Sequence, residues 1–217
     1  STAGSLKLGA ITTNGGTVTL NSAAGIATVS GTIAATTLNL TAVGDVGSTG
    51  TALSTNVGTL TSSSANLYLT EADALVIGGG ITATGGNVRL SVGGAITDSN
   101  AATNDVTAAS LTILGGNAVT SIETAVSTLQ LNTAGTSISN TGALTVADST
   151  VTGQLSLVNS SSIALGAITA TGQTVNLTAL GSSAITDNNA GSVNVSATTL
   201  NIVAGAVGSA NAIETAV

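Results

Sequence analysis

One ten-residue pattern recurs along the chain, and it constrains the fold more than any other feature. Ile81 to Leu90 reads ITATGGNVRL, Ile11 to Leu20 reads ITTNGGTVTL, and Ile168 to Leu177 reads ITATGQTVNL. Each copy is a short apolar start, a turn containing Gly or Gln, and an alternating strand. Self-similarity at a long period marks repeat architectures. The three turns lie 70 and 87 residues apart. L-x-apolar triplets opening at Leu38, Leu111 and Leu200 lie 73 and 89 apart. Ser121-Ile-Glu-Thr-Ala-Val126 returns 91 residues later as Ala212-Ile-Glu-Thr-Ala-Val217. The chain therefore reads as one continuous segment, 1–217, built of a degenerate long repeat over about 5–60, 66–129 and 154–217. The first interval is 16 or 17 residues short, as if one small unit were missing.

That small unit is visible directly. Apolar-x-apolar triplets are centred on Lys7, Thr19, Asn39, Tyr68, Arg89, Thr112, Gln130, Ser156, Asn176 and Asn201. Most intervals fall between 18 and 29 residues. Strict alternation over a few residues is the pattern of a half-buried strand, and Gly, Asn and Ser clusters punctuate the strands. An antiparallel sandwich and a stack of coils both fit short strands at regular spacing. A sandwich has no reason to gain or lose one unit; a stack of coils does. The expected fold is all-β: a parallel β-solenoid with coils of roughly 20 residues. Equivalent strands would stack at about 4.8 Å, and ten or so coils would make a rod of roughly 50 Å.

Alternation also assigns the core. The inward pairs are Leu6 and Leu8, Val18 and Leu20, Leu38 and Leu40, Leu67 and Leu69, Val88 and Leu90. They continue with Leu111 and Ile113, Leu129 and Leu131, Leu155 and Leu157, Val175 and Leu177, Leu200 and Ile202. Asparagines in the turns at Asp98-Ser-Asn100 and Asp187-Asn-Asn189 are expected to form amide ladders between coils. Proline, which would break a ladder hydrogen bond, is absent.

Composition then excludes several classes. The chain has no Pro, Cys, Met, Trp, Phe or His, and one aromatic residue, Tyr68. Such a core must be thin and aliphatic, because aromatics supply the largest buried areas. A mean hydropathy of +0.55 argues against disorder, which goes with low hydrophobicity and high charge. Apolar runs such as 74–77 and 202–207 fall far short of the ~18 residues of a membrane span. No secretory leader pattern is seen. Net charge is −7, with Lys7 and Arg89 the cations, so phosphate neutralisation and nucleic-acid binding are not expected. Disulfides and thiolate sites are excluded by the lack of Cys.

Segments such as TATGGNVRLSVGGAITDSN (Thr82 to Asn100), SIETAVSTLQL (Ser121 to Leu131) and SISNTGALTV (Ser137 to Val146) resemble the repeats of filamentous-haemagglutinin-like bacterial surface proteins. The resemblance runs along the whole chain and implies a right-handed parallel β-helix. It also implies an extracellular location and a role as rod or stalk in a long adhesin or surface fibre. It carries no catalytic residues. Placing Ser1-Thr2 after Val217 would reproduce the internal junction Val126-Ser127-Thr128. The partners expected are therefore further coils or copies of the same fibre, end to end and laterally.

Candidate sites are sparse. Glu71 and Asp73 lie two apart, so on a strand they would share a face, as a calcium pair or an acid/base pair would. The plainer reading is two solvated carboxylates at a coil edge, since the matching stretch Val158 to Ser161 has no acid. Asp98 and Asp187 recur in AITD-S/N-N and fit calcium between coils or, more simply, Asx turns. The calcium nonapeptide pattern is absent, so no cofactor is expected, calcium being the weak alternative. Glu123 and Glu214 also recur and read as outward. Lys7, Tyr68, Arg89 and Gln130 occupy the outward centres of strong triplets, which would gather large side chains on a contact face for glycan or a neighbouring fibre. Thr17-Val-Thr19 and Thr59-Leu-Thr61 fit an ice-binding array, yet too irregularly. Sequons stand at Asn39, Asn159, Asn176 and Asn194. An enzyme would need a richer set of acids, bases and sugar platforms than this chain holds, so no catalysis is expected.

Overall fold

The computed structural model describes residues 4–101, 103–115, 117–208 and 211–217. Among them are 21 strands and no helix, hence no helix long and apolar enough to cross a membrane. The strand pairings are parallel. One column of paired positions runs through the molecule: Leu6, Ile26, Val46, Leu67, Val88, Leu111, Leu129, Val146, Leu165 and Asp187. Each step is one coil, so the chain is a β-solenoid of about 10 turns with coils of about 20 residues.

A coil has three sides. Residues 67–71, 75–77 and 81–83 pair in turn with 88–92, 96–98 and 106–108. Later, 155–159, 163–165 and 168–170 pair with 175–179, 185–187 and 195–197. The strand Leu75–Val92 runs around two corners without a break in its assignment. The outline is not constant along the stack. In the coil containing Val119–Thr133, residues 122–124 pair with 138–140, whereas 128–129 and 132–133 pair with two separate short strands, Leu144–Val146 and Ser149–Val151. One side of that coil thus becomes two in the next.

This shift separates the long repeat from the coil. Val18 stacks through Leu38 and Leu60 onto Ile77. Its counterpart Val175 stacks through Leu155, Thr136, Val119 and Ile96 onto Leu75 of the same strand segment. The middle counterpart, Val88, lies instead between Leu67 and Leu111. The first and third copies therefore share a side, and the middle copy sits on another.

The core is aliphatic and continuous. Of the twenty expected inward residues, sixteen are buried; Leu6, Leu20, Leu200 and Ile202 are partly buried and pack against the core. These four belong to the outermost rungs described, which have fewer neighbours to cover them. Each buried Leu or Val contributes on the order of 1.5–3 kcal/mol. Coil corners need close backbone approach. At Gly86 an added Cβ would collide with the carbonyl of Ala65 in the preceding coil, and Gly85 beside it has φ +74°, a region that favours glycine.

Candidate functional site

The outward positions divide into two families. Tyr68, Arg89, Thr112 and Gln130 form one column of successive rungs. Lys7 stacks on Ala27, flanked by Leu6 and Ile26 of the column that leads to Leu67. Lys7 therefore lies on the same side, three rungs or about 14 Å from Tyr68. Thr19 and Asn39 belong to a second side, where Ser137, Ser156, Asn176 and Asn201 also form a column. Large side chains thus collect on one side and small polar ones on the other. The two Thr-x-Thr segments fall on the second side, with Thr37-Leu-Asn39 between them. Tyr68 and Arg89 lie in the other column and are not equivalents of these segments. A shallow depression on this side is lined by Thr120, Thr136, Ser137, Gln154 and Ser156, with no charged side chain in its lining.

Glu71 and Asp73 do not share a face. The strand Leu67–Glu71 ends at Glu71, and the corner turns Asp73 out to solvent while Glu71 is 2% exposed. The Glu71 carboxylate ties down that corner. Its oxygens accept the N–H of Val57 at 3.1 Å, and Oε1 accepts the N–H of Ala72 at 3.0 Å. Desolvation raises its pKa above the ordinary 4.5, although these hydrogen bonds pull the other way. The geometry is that of a buried cap rather than a ligand pair.

Both Asp98 and Asp187 close Asx turns, accepting the N–H of Asn100 and, at 2.7 Å, of Asn189. Among the described residues, the asparagines of these turns do not form the expected ladders. Ladders occur elsewhere: Asn140 donates to Asn159 at 2.9 Å in the core, Asn201 to Asn176 at 2.8 Å and Asn87 to Asn66 at 3.1 Å on the surface. Asn159 and Asn194 are 0% exposed and both amide nitrogens donate hydrogen bonds, so neither sequon is open to modification in the folded chain.

The structure also gathers residues that alternation had kept apart. Asp98 occupies the rung after Ile77, in line with the core. Asp105 is 0% exposed. Glu123, expected to face outward, is half-buried, and its Oε2 lies buried without a hydrogen-bond partner. Ligand oxygens of Asp98, Asp105 and Glu123 lie within 4.8 Å of one another. Burial pushes the Asp105 carboxyl up to about 7, helped by the neighbouring acids Asp98 and Glu123 and opposed by the Glu123 N–H. At that separation two carboxylates repel by roughly 3 kcal/mol at an effective dielectric of about 20. Asp105 was missed because Ala102-Thr-Asn-Asp105 reads as a polar turn. The one signal was the spacing: Asp98 and Asp105 are separated as Asp187 and Asn194 are. At Asp187 hydrogen bonding from Asn194 and from Asn189 N–H holds the pKa low.

The fold and these sites define a parallel β-solenoid repeat protein with an aliphatic core. No protein family, curated protein or solved structure matches the chain.

Proposed function

We propose that this chain is a structural segment of an extracellular fibre or adhesin stalk, a stiff and protease-resistant rod with no catalytic role. The observation that carries the reading is the ten-position column from Leu6 to Asp187, one coil per step. Such a stack hydrogen-bonds its backbone along the rod axis and leaves short corners as the accessible peptide. The resemblance of its segments to filamentous-haemagglutinin-like repeats supports the location and the fibre context. Partners are further coils of the same kind, end to end. Electron microscopy with fibre diffraction of the native material tests it. Thin fibres with a meridional repeat near 4.8 Å are expected; discrete short particles would overturn the fibre role.

A second reading rests on the outward column. Tyr68 and Arg89 stand on successive rungs, with Gln130 two rungs on. An aromatic ring beside a guanidinium is suited to a sugar face or to a neighbouring rod. Glycan-array binding that Tyr68→Ala abolishes would favour this role; equal binding by the variant would remove it.

A further inference from the structure

The two Asx turns share their Asp, Asn and Ala, Asp98, Asn100 and Ala101 against Asp187, Asn189 and Ala190, and differ at the position seven residues after the Asp, where Asp105 stands against Asn194. After each turn stands an alanine with positive φ, Ala101 at 45° and Ala190 at 53°. Asp105 and Asn194 then occupy the same backbone position. Asp105 N–H donates to Glu123 O at 2.7 Å and Asn194 N–H to Glu214 O at 2.8 Å, and their carbonyls accept from Ile81 and Ile168 at 2.7 Å each. One side-chain oxygen is matched as well. Asp105 Oδ2 accepts the Glu123 N–H at 2.9 Å, and Asn194 Oδ1 accepts the Glu214 N–H at 3.0 Å.

The difference is confined to the other branch. Asn194 Nδ2 donates to Leu165 O at 3.0 Å, Asp187 Oδ1 at 2.9 Å and Asn189 Oδ1 at 3.0 Å. Asp105 puts an oxygen where that donor stands. Asp105 Oδ1 is buried with no hydrogen-bond partner, and so is Asn100 Oδ1, the counterpart of the Asn189 acceptor. Ile77 lies on Asp98 as Leu165 lies on Asp187, so its carbonyl takes the corresponding place. Oxygens of three carboxylates converge there, with Asn100 Oδ1 the equivalent of the Asn189 acceptor, and without the donor that the later copy supplies. Buried acceptors without donors are costly unless a cation or proton joins them.

We propose that Asp98, Asp105 and Glu123 bind a calcium ion, with Asn100 Oδ1 as a further ligand, at the place that the Asn194 amide fills in the later copy. An all-oxygen, carboxylate-rich set selects a hard cation. Calcium tolerates irregular coordination, whereas magnesium demands near-ideal octahedral geometry and keeps its waters. The ion would staple successive coils, since the Asp105 side chain already bonds Glu123, 18 residues on.

Calorimetric titration of calcium chloride into the chelator-stripped chain, with thermal melting in parallel, tests the site. One ion per chain is expected, with a Kd of about 10⁻⁴–10⁻³ M and a rise in melting midpoint of about 3 °C or more at saturation. Asp105→Asn copies the arrangement around Asn194 and should fold; it loses the calcium heat and the shift. Asp98→Asn, which keeps an acceptor for the turn, loses them too. Asn194→Asp, with Asp187 and Glu214 in place, raises the stoichiometry to two. A folded wild-type chain showing neither heat nor shift at about 10 mM calcium, well above that range, would overturn the proposal and leave the cluster to a shared proton. Retention of wild-type binding by both Asp105→Asn and Asp98→Asn would overturn it equally.

Discussion

Single side chains at the corners carry most of the polar structure inside the rod. Asn140 is the clearest case. Its Oδ1 accepts from Thr124 Oγ1 at 2.8 Å and Val126 N–H at 2.9 Å, and its Nδ2 donates to Val126 O at 3.2 Å and Asn159 Oδ1 at 2.9 Å. Asn140→Ala strands those partners in a dry site, so a loss of about 2–4 kcal/mol is expected from urea denaturation. Glu71 makes a pH prediction. Its folded pKa is raised, so the folded state holds this proton more tightly than the unfolded chain does. Its contribution to stability is complete below the ordinary glutamate pKa and is lost as pH rises through the raised value. Wild-type stability should decline across that window, from about 4.5 upward. Glu71→Gln should make the decline shallower, the remainder belonging to Asp105, whose raised value lies at about 7, as measured by denaturant midpoints at stepped pH. Neither role was legible beforehand. Asn140 lies in Ser137-Ile-Ser-Asn140, where alternation says only that Ile138 and Asn140 share a face. Which asparagine closes a corner depends on where the chain turns.

Strands behave as rungs, and a rung fails locally. Leu90 is 0% exposed and lies in register between Leu69 and Ile113. Leu90→Asp buries a charge with no partner, a cost of several kcal/mol. Hydrogen exchange should show protection lost in 67–71, 88–92 and 111–114 and kept near residues 155–179, since solenoid stability is a sum of neighbour terms. Uniform loss of protection along the chain would contradict this register. Gly86→Ala tests the corner. Its Cβ would press on the Ala65 carbonyl, so a drop of about 1–3 kcal/mol is expected by analogy with overpacking. Strand existence and inward faces were readable in the sequence because the period of two is local. Strand partners were not, because Leu129 pairing with Val146 rather than with a longer strand depends on where neighbouring corners fall.

At the scale of the whole molecule, the stack and the sequence repeat keep different time. Tyr68, Arg89 and Gln130 collect on one side, while Ser156 and Asn176, which occupy similar places in their triplets, lie on another. Tyr68→Ala should therefore alter surface binding while lowering the melting midpoint by no more than about 2–4 °C, the loss expected when a half-buried outward ring is removed without opening the core. Alternation, turn residues and the long self-similarity were enough to give a chain that coils, with parallel strands and with the Leu, Ile and Val of the apolar triplets inward; that strands such as Leu75–Val92 continue around corners was not among them. Those properties follow from steric and hydrophobic rules acting over a few residues. Only the tertiary structure decided which coil corner lies over which. That placement brought Asp105 and Glu123 beside Asp98 and turned Asp73 out while Glu71 went in. Corner placement is set by packing between coils about 20 residues apart, where the pattern of any one segment carries no information about its neighbour's turns.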